Sequence, residues 1–561
     1  MKRFLFFLLC IALLIGITSC DTPNNEGDPG RDTDLTEGSE EATSGVENTN
    51  TEAVDSDANT EAPVGPSYAV IHERCVYLFV GERYSLPHTV RADGGEGNPA
   101  AIEWTSSSDC VTVNNGTIFA QKEGFAIVSG GGDTECVIRV VNDNMPTITV
   151  NTNGASITSK ENYVPCLVGM ETDNEDLAFE KVSAGIRLRG NSTATRPKKP
   201  YRIQFDSKRN LLGLNEGAEC RSWVLLAEYY DDSLIRNSTA FTFASMILTE
   251  DSSDWRYVRL ELNGTDMGVY LLAEQSQIHS DRIDIEEAGE ESDERESGYL
   301  FEIDASTASP DFYLQYGDYE IYNFLGDEYT ITANDSKKTA LYYSIKNNGL
   351  RTSQKIFAQK YLEGVFEILY YATYENTAYA FDENYNLVES DMTPREAIEA
   401  VIDIDSVARK YIHSEILCNG DEHKKSYFMY VDLSESGTGL LTFTCPWDFD
   451  TAFVHWDSVN YRETDVHYSC TRNLWYVMIM CNDWFRDYVI EVWDELYAQT
   501  NGFQSALDTI RNIQSIYQGD FQFDANKWNR REDHQEQITL TYNWLVARIA
   551  WLNENIARLS E

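Results

Sequence analysis

The spacing of apolar and polar positions changes character several times along the chain. Phe4 to Ile17 is one apolar run behind Lys2 and Arg3, too short for a comfortable membrane span. Residues 21–67 carry almost nothing apolar, and such a stretch cannot bury enough surface to fold. From 68 to 145, short β-rich runs alternate with turn residues, predicting strands at Val76–Val80, Ala101–Thr105, Val111–Val113, Thr117–Ala120, Phe125–Ser129 and Cys136–Val141. Asn114-Asn115-Gly116 and Gly130-Gly131-Gly132-Asp133 read as turns.

From residue 146 the periods lengthen. Tyr201–Phe205 alternates as a strand, and Trp223–Ala227 is apolar enough for a buried one. Asp231-Asp232-Ser233-Leu234 opens a helix predicted to run through Leu248. Arg259–Leu262, Asn263-Gly264 and Gly268–Ala273 read as a hairpin, and Gly298–Asp304 as a further strand. Gln354–Ala372 and Ile404–Cys418 are helical by period, and Ser426–Val431 and Leu440–Cys445 are strands around a turn. Beyond Trp475 the pattern is mainly helical. Sheet in front and helix behind make the large region α+β and two-lobed. The domains expected are a leader (1–20), a disordered acidic tether (21–67), a small all-β sandwich (68–145) and a large α+β domain (146–561).

Charge narrows the functions. The 561 residues hold 44 basic and 92 acidic side chains, a net charge of −48, which argues against nucleic acid as a partner. The tether supplies 13 acids against the single base Arg31, so the folded part is itself strongly acidic. A phosphate ligand would then need a local basic pocket or a divalent cation. A hydrophobic fraction of 42% and an aromatic fraction of 12% exclude wholesale disorder. Of 11 cysteines, Cys10 leaves with the leader. Ile17-Thr18-Ser19-Cys20 looks like a bacterial lipobox, which implies a lipid anchor at Cys20 and an extracytoplasmic, membrane-attached protein. That setting permits disulfides, for example among Cys75, Cys110 and Cys136.

Ile102-Glu103-Trp104-Thr105 followed by Val111-Thr112-Val113-Asn114-Asn115-Gly116-Thr117-Ile118 and Gly124-Phe125-Ala126-Ile127-Val128 resembles bacterial group 2 immunoglobulin-like domains. That resemblance implies a spacer or adhesive module.

Further on, four blocks follow in order: Arg187-Leu188-Arg189-Gly190-Asn191-Ser192 with Lys198-Lys199-Pro200-Tyr201-Arg202; Trp223–Ala227 with Tyr230-Asp231-Asp232-Ser233-Leu234-Ile235-Arg236-Asn237; Gly268–Gln275; and Pro446-Trp447-Asp448-Phe449-Asp450. From about residue 180 to 500 the chain resembles the spore coat protein H (CotH) kinase family. The resemblance implies an atypical, two-lobed protein kinase using ATP with Mg²⁺ or Mn²⁺, its acceptor a surface or secreted protein.

Phosphoryl transfer needs cations on phosphate, carboxylates on metal, and a carboxylate near the attacking hydroxyl. Lys198, Lys199 and Arg202 are candidate phosphate ligands, with Arg187, Arg189 and Arg196 nearby. If Tyr201, Ile203 and Phe205 face the core, Lys198 and Arg202 share the opposite face unless Pro200 breaks the register. Asp421 is the candidate base, in the loop where the resemblance places a catalytic loop. Five residues on, the general kinase pattern has Asn and this chain has Ser426, a poorer metal ligand. Asp448 and Asp450 are candidate metal ligands, and Glu274 a candidate hinge or nucleotide-binding residue. Family members commonly carry Gly where this chain has Val454. No GxSxG, HExxH or P-loop supports rival chemistry. The alternative is a non-catalytic surface scaffold or adhesin that binds protein or glycan.

Overall fold

The computed structural model describes residues 66–561 except 93–94, 249–251, 290, 306, 308, 330–338 and 456–459. Cys20, the leader and nearly all of the tether lie outside the described residues. Among the described residues no helix is long and apolar enough to cross a membrane.

Residues 67–141 form three small sheets around a core that includes Val76, Ile118, Val128 and Ile138. The expected strand Ala101–Thr105 is instead a 3-10 turn at Pro99–Ala101 and a two-residue strand, Thr105–Ser106. Pro99 at the first position of the turn, with Asn98 accepting from the Ala100 amide, closes the backbone where an extended run was expected.

The small region is not a free spacer. Strand Cys75–Phe79 is buried at every position. Val76 and Leu78 point into its own core, whereas Cys75, Tyr77 and Phe79 point into the core of the large region. The period of two thus serves two cores from one strand. Tyr77 stacks on Trp255 with centroids 5.0 Å apart, and its hydroxyl donates to Asp254 at 3.1 Å. Buried Arg139 pairs with Asp254, and with Glu216 at 2.6 Å. The Tyr517 hydroxyl donates to the Asn142 carbonyl at 2.7 Å. Cys75, Cys110 and Cys136 are buried free thiols, so none of the disulfides that the setting permits forms among them. Cys75 belongs to the large core, where its sulfur accepts from the Arg139 guanidinium, while the other two pack in the small core.

The large region is mixed α+β, and its front half closes on itself. Seven strands form a barrel in the order Thr147–Asn151, Val164–Glu171, Phe179–Leu188, Tyr201–Arg209, Cys220–Leu226, Thr265–Glu274, Trp255–Leu262. The first and last pair in parallel, Thr147 opposite Arg259, which removes both edges. Ile186, Ile203, Trp223, Leu225 and Leu272 fill the interior. Val224, Leu226, Leu271 and Ala273, on the other pleat, pack outward against the main core. Burial on both faces explains why Trp223–Ala227 reads as an unbroken apolar run.

Helix Arg236–Ile247 follows the barrel strand ending at Leu226. It starts later than Asp231 because Asp231 and Ser233 build a turn: Asp231 accepts from the Ser233 and Arg236 amides at 2.9 and 2.8 Å. A five-stranded antiparallel sheet comes next, ordered Phe312–Gln315, Ala340–Ile345, Gly298–Asp304, Lys425–Asp432, Thr442–Thr444. Helices Thr352–Tyr374 and Ile404–Leu417 pack in the same main core. The C-terminal helices include Gln518–Trp528, which docks on the barrel: Asp524 accepts from the Val269 amide at 3.0 Å and Trp528 donates to the Met267 carbonyl at 2.9 Å. Gly268 is required there, since a Cβ would collide with the Asp524 carboxylate.

Candidate functional site

The site lies where the loop after strand Thr442–Thr444 meets the start of strand Lys425–Asp432 and the first turn of helix Arg236–Ile247. Three local features shape it. Ser426 is the extra residue of a β-bulge: Ile303 pairs with Tyr427 and Asp304 with Lys425, leaving Ser426 unpaired at φ +56°. Asp448 is likewise left-handed, at φ +62°. Arg236 and Asn237 hold the loop between them. The Arg236 guanidinium donates to the Asp450 carbonyl at 2.7 Å, and the Asn237 side-chain oxygen accepts from the Phe449 amide at 2.8 Å. Val454 sits in an extended bridge to Tyr461, and the left-handed residue is Phe453, so the missing glycine costs nothing at 454.

Asp448 and Asp450 are both half-buried. Burial and then the charge of Asp448 push the Asp450 carboxyl up to about 7. The Asn237 amide donates to Asp450 at 3.1 Å and to both oxygens of buried Glu228 at 3.2 and 3.0 Å. Burial and the neighbouring Asp450 hold Glu228 well above the usual carboxylate range. The Ser426 hydroxyl donates to Asp448 at 3.3 Å. Asp421 pairs with Lys425 at 2.7 Å. Burial lowers the Lys425 ammonium, but the Asp448, Asp421 and Asp450 charges outweigh it and raise it overall. Lys425 therefore links the Asp421 loop to the carboxylate pair. Asn419 ties the same loops: it donates to the Asp448 carbonyl at 3.2 Å and accepts from Thr451 at 2.8 Å.

Arg189 stands near the Asp448–Asp450 pair, with Arg202 and then Arg187 beside it on the barrel. Arg187 and Arg202 are directly paired across two barrel strands, an arrangement of like charges that is unfavourable unless an anion intervenes. Neither they nor Arg189 has a carboxylate ion-pair partner among the described residues, and the Arg187 and Arg202 Nε atoms are buried without a hydrogen-bond acceptor. Arg189 lies 5.3 Å over the Trp447 ring. Burial lowers its guanidinium against the opposing charges of Asp448 and Asp450.

Asp421, Ser426, Asp448 and Asp450 thus come together, with Arg202 behind Arg189. Three expected residues go elsewhere. Lys198 is wholly buried, bonded to the Val269 carbonyl and paired with Asp524 at 2.6 Å. Burial pulls it down to about 8 despite that partner. Strand geometry begins only at Tyr201, after Pro200, so Lys198 never shares a face with Arg202. Lys199 donates to the Ala194 and Arg196 carbonyls at 2.9 and 3.2 Å, tying its own loop. Glu274 pairs in register with Trp223, several residues along the barrel from Glu228, and is locked with Asn215, His279 and Arg282 at 2.5, 2.8 and 3.3 Å. That cluster joins the Arg139–Asp254 dock through Asn215, whose amide donates to Asp254 at 2.7 Å. Lys425 and Glu228 were not singled out from sequence. Lys425 lies beside Asp421 in an already suspect loop, whereas Glu228 gives no signal of its own.

Among the described residues no group of three or more His, Cys, Asp or Glu is arranged to hold a metal. Asp448 and Asp450 still fit a divalent cation that completes its shell with phosphate oxygens and water. Burial, and then the charge of Asp448, raise the Asp450 carboxyl, and a cation there would offset the second of these.

A closed barrel and an antiparallel sheet thus frame a pair of carboxylates with Arg189 beside it. A family model described as CotH kinase protein matches residues 186–552, more than half of the chain. The chain belongs to this CotH kinase family, and the match runs past residue 500 into the helix His534–Asn555. A comparison with curated proteins returns no match.

Proposed function

We propose that the chain is a lipid-anchored, extracytoplasmic CotH-like protein kinase that transfers the ATP γ-phosphoryl group to Ser or Thr of surface or secreted proteins. The observation that carries this reading is Arg189 beside the Asp448–Asp450 pair, without an ion-pair partner of its own among the described residues, and with Arg202 and Arg187 next to it on the barrel. In a chain of net charge −48, that is where a nucleotide phosphate can be tolerated. The arginines would hold phosphate oxygens. Asp448 and Asp450 would hold Mg²⁺ or Mn²⁺, which supplies neutralisation of the phosphate charge. Asp421 orients the acceptor hydroxyl and takes its proton as the new P–O bond forms and the bond to the ADP oxygen breaks. Lys425 keeps Asp421 directed toward the carboxylate pair. The anchor at Cys20 rests on the lipobox alone.

The test is radiolabelled ATP with Mg²⁺ or Mn²⁺ on the full chain, beside Asp421→Ala and Asp448→Ala. Transfer that survives both substitutions refutes the assigned roles. Absence of nucleotide and metal binding in the unaltered chain would leave the scaffold reading. Fatty-acid labelling that persists in Cys20→Ala would refute the anchor.

A further inference from the structure

Asp421 has a second cationic side that the proposed transfer does not use. Arg462 and Arg472 lie 4.8 and 4.4 Å from the centroid of the same ring, Tyr468. Neither has a carboxylate partner among the described residues, and the Arg462 Nε is buried without an acceptor. The Arg462 guanidinium rests against the Asp421 loop so closely that any Cβ at Gly420 would strike it. Lys424 adds an ammonium 3.8 Å from Asp421.

The platform is rigid. Tyr468 is buried, and the Tyr468 and Ser469 amides donate to Glu415 at 2.5 and 2.6 Å. Glu415 is in turn fixed by buried Arg548 at 2.8 Å. Two stacked guanidiniums held this way have their fork of donors preorganised. They are also separate from the arginines around Arg189. The carboxylates acting most on Arg189 are Asp448 and Asp450, whereas the one acting on Arg462 is Asp421. Asp421 is tied through Lys425 to the Asp448–Asp450 pair, and Arg462 rests against its neighbour Gly420. If Arg189 and its neighbours take the nucleotide phosphates, Arg462 and Arg472 are left for the acceptor.

We propose that Arg462, Arg472 and Tyr468 form a second anion site, which binds a carboxylate or phosphate group carried by the acceptor polypeptide near the hydroxyl to be modified. This rests on the kinase reading for its purpose, but binding can be measured without it. The probes are labelled serine peptides in which one Asp, one phosphoserine, one Ala or one Lys is walked from three residues before the serine to three after. Each is titrated with the full chain by fluorescence anisotropy without nucleotide, then assayed for transfer from labelled ATP.

At the best position the Asp or phosphoserine peptide should bind about tenfold more tightly than the Ala peptide, the scale of one charge-assisted hydrogen bond. Arg472→Glu, at an exposed position that leaves the fold intact, should remove most of that preference. Arg462→Gln with Arg472→Glu should abolish it. In the transfer assay the loss in Arg472→Glu should appear as a KM for the anionic peptide raised to that of the Ala peptide. Preference for phosphoserine alone identifies a previously phosphorylated acceptor, and preference for both identifies an acidic one. Equal binding of all peptides, or a preference that survives in the double variant, overturns the proposal. Preferential binding without transfer to any peptide would leave this site standing and overturn the kinase reading instead.

Discussion

Cation affinity at the Asp448–Asp450 pair should rise with pH and level off above about 7, because Asp450 must lose its proton to become a ligand. Burial comes first among the causes of its raised value, and the charge of Asp448 second. With one proton released per cation bound, apparent affinity for Mn²⁺ should fall about tenfold between pH 8 and pH 6. The metal-free fold follows the opposite sense. A carboxyl whose folded value is raised adds stability while protonated, and that contribution is lost as pH climbs from the ordinary carboxylate range through about 7. Stabilisation by added Mn²⁺ should therefore be larger at pH 8 than at pH 6. Calorimetric titration at pH 6, 7 and 8, in buffers of different ionisation enthalpy, measures both affinity and proton release. Asp450→Asn should bind weakly with a flat profile. An affinity that does not change with pH in the unaltered chain, or an equal slope in Asp450→Asn, would refute the reasoning.

Arg202→Gln and Arg189→Gln should each raise KM for ATP by roughly tenfold, by removing a charge-assisted contact to phosphate. Lys198→Met should instead lower the melting temperature and leave KM for ATP within about twofold, because Lys198 is spent on Asp524 inside the protein. Asn237→Ala should cost about 2 kcal/mol in denaturant unfolding, since it strands the Phe449 amide and removes the donor shared by Glu228 and Asp450. Arg139→Ala should cost about 3–5 kcal/mol, the scale for removing one partner of a buried ion pair.

Local order was readable wherever one period dominated. The strands at Tyr201–Phe205 and Gly298–Asp304, the hairpin at Asn263-Gly264, and the helices beginning near 354 and 404 all stand close to their expected bounds. Closure of the barrel was not readable. It depends on Thr147–Asn151 pairing in parallel with a strand more than 100 residues away, and no local pattern encodes such a partner. The fate of Lys198 was hidden for the same reason, because Asp524 lies at the far end of the chain. The small β region was legible as strands. Its docking was not, although the unbroken apolar string Cys75-Val76-Tyr77-Leu78-Phe79 already showed a strand with no face left for water. At the site, Asp421, Asp448 and Asp450 stand out as carboxylates in loops next to strands. Lys425 becomes visible only through the bulge that turns Ser426 and re-aims its neighbours.

The closed barrel separates the unit of kinship from the unit of folding. The family match begins at residue 186, inside the strand Phe179–Leu188. Two strands, Thr147–Asn151 and Val164–Glu171, and most of a third precede it. A fragment trimmed to the matched span would leave the strand Trp255–Leu262 without one neighbour and Tyr201–Arg209 with only a stub of the other, two raw sheet edges inviting intermolecular pairing. A start at residue 146 would close the barrel but uncover Trp255 and Asp254, which Tyr77 and Arg139 now shield. Expression of an intact protein therefore begins no later than Ser67, where the first strand starts, and shorter pieces should precipitate whatever their chemistry.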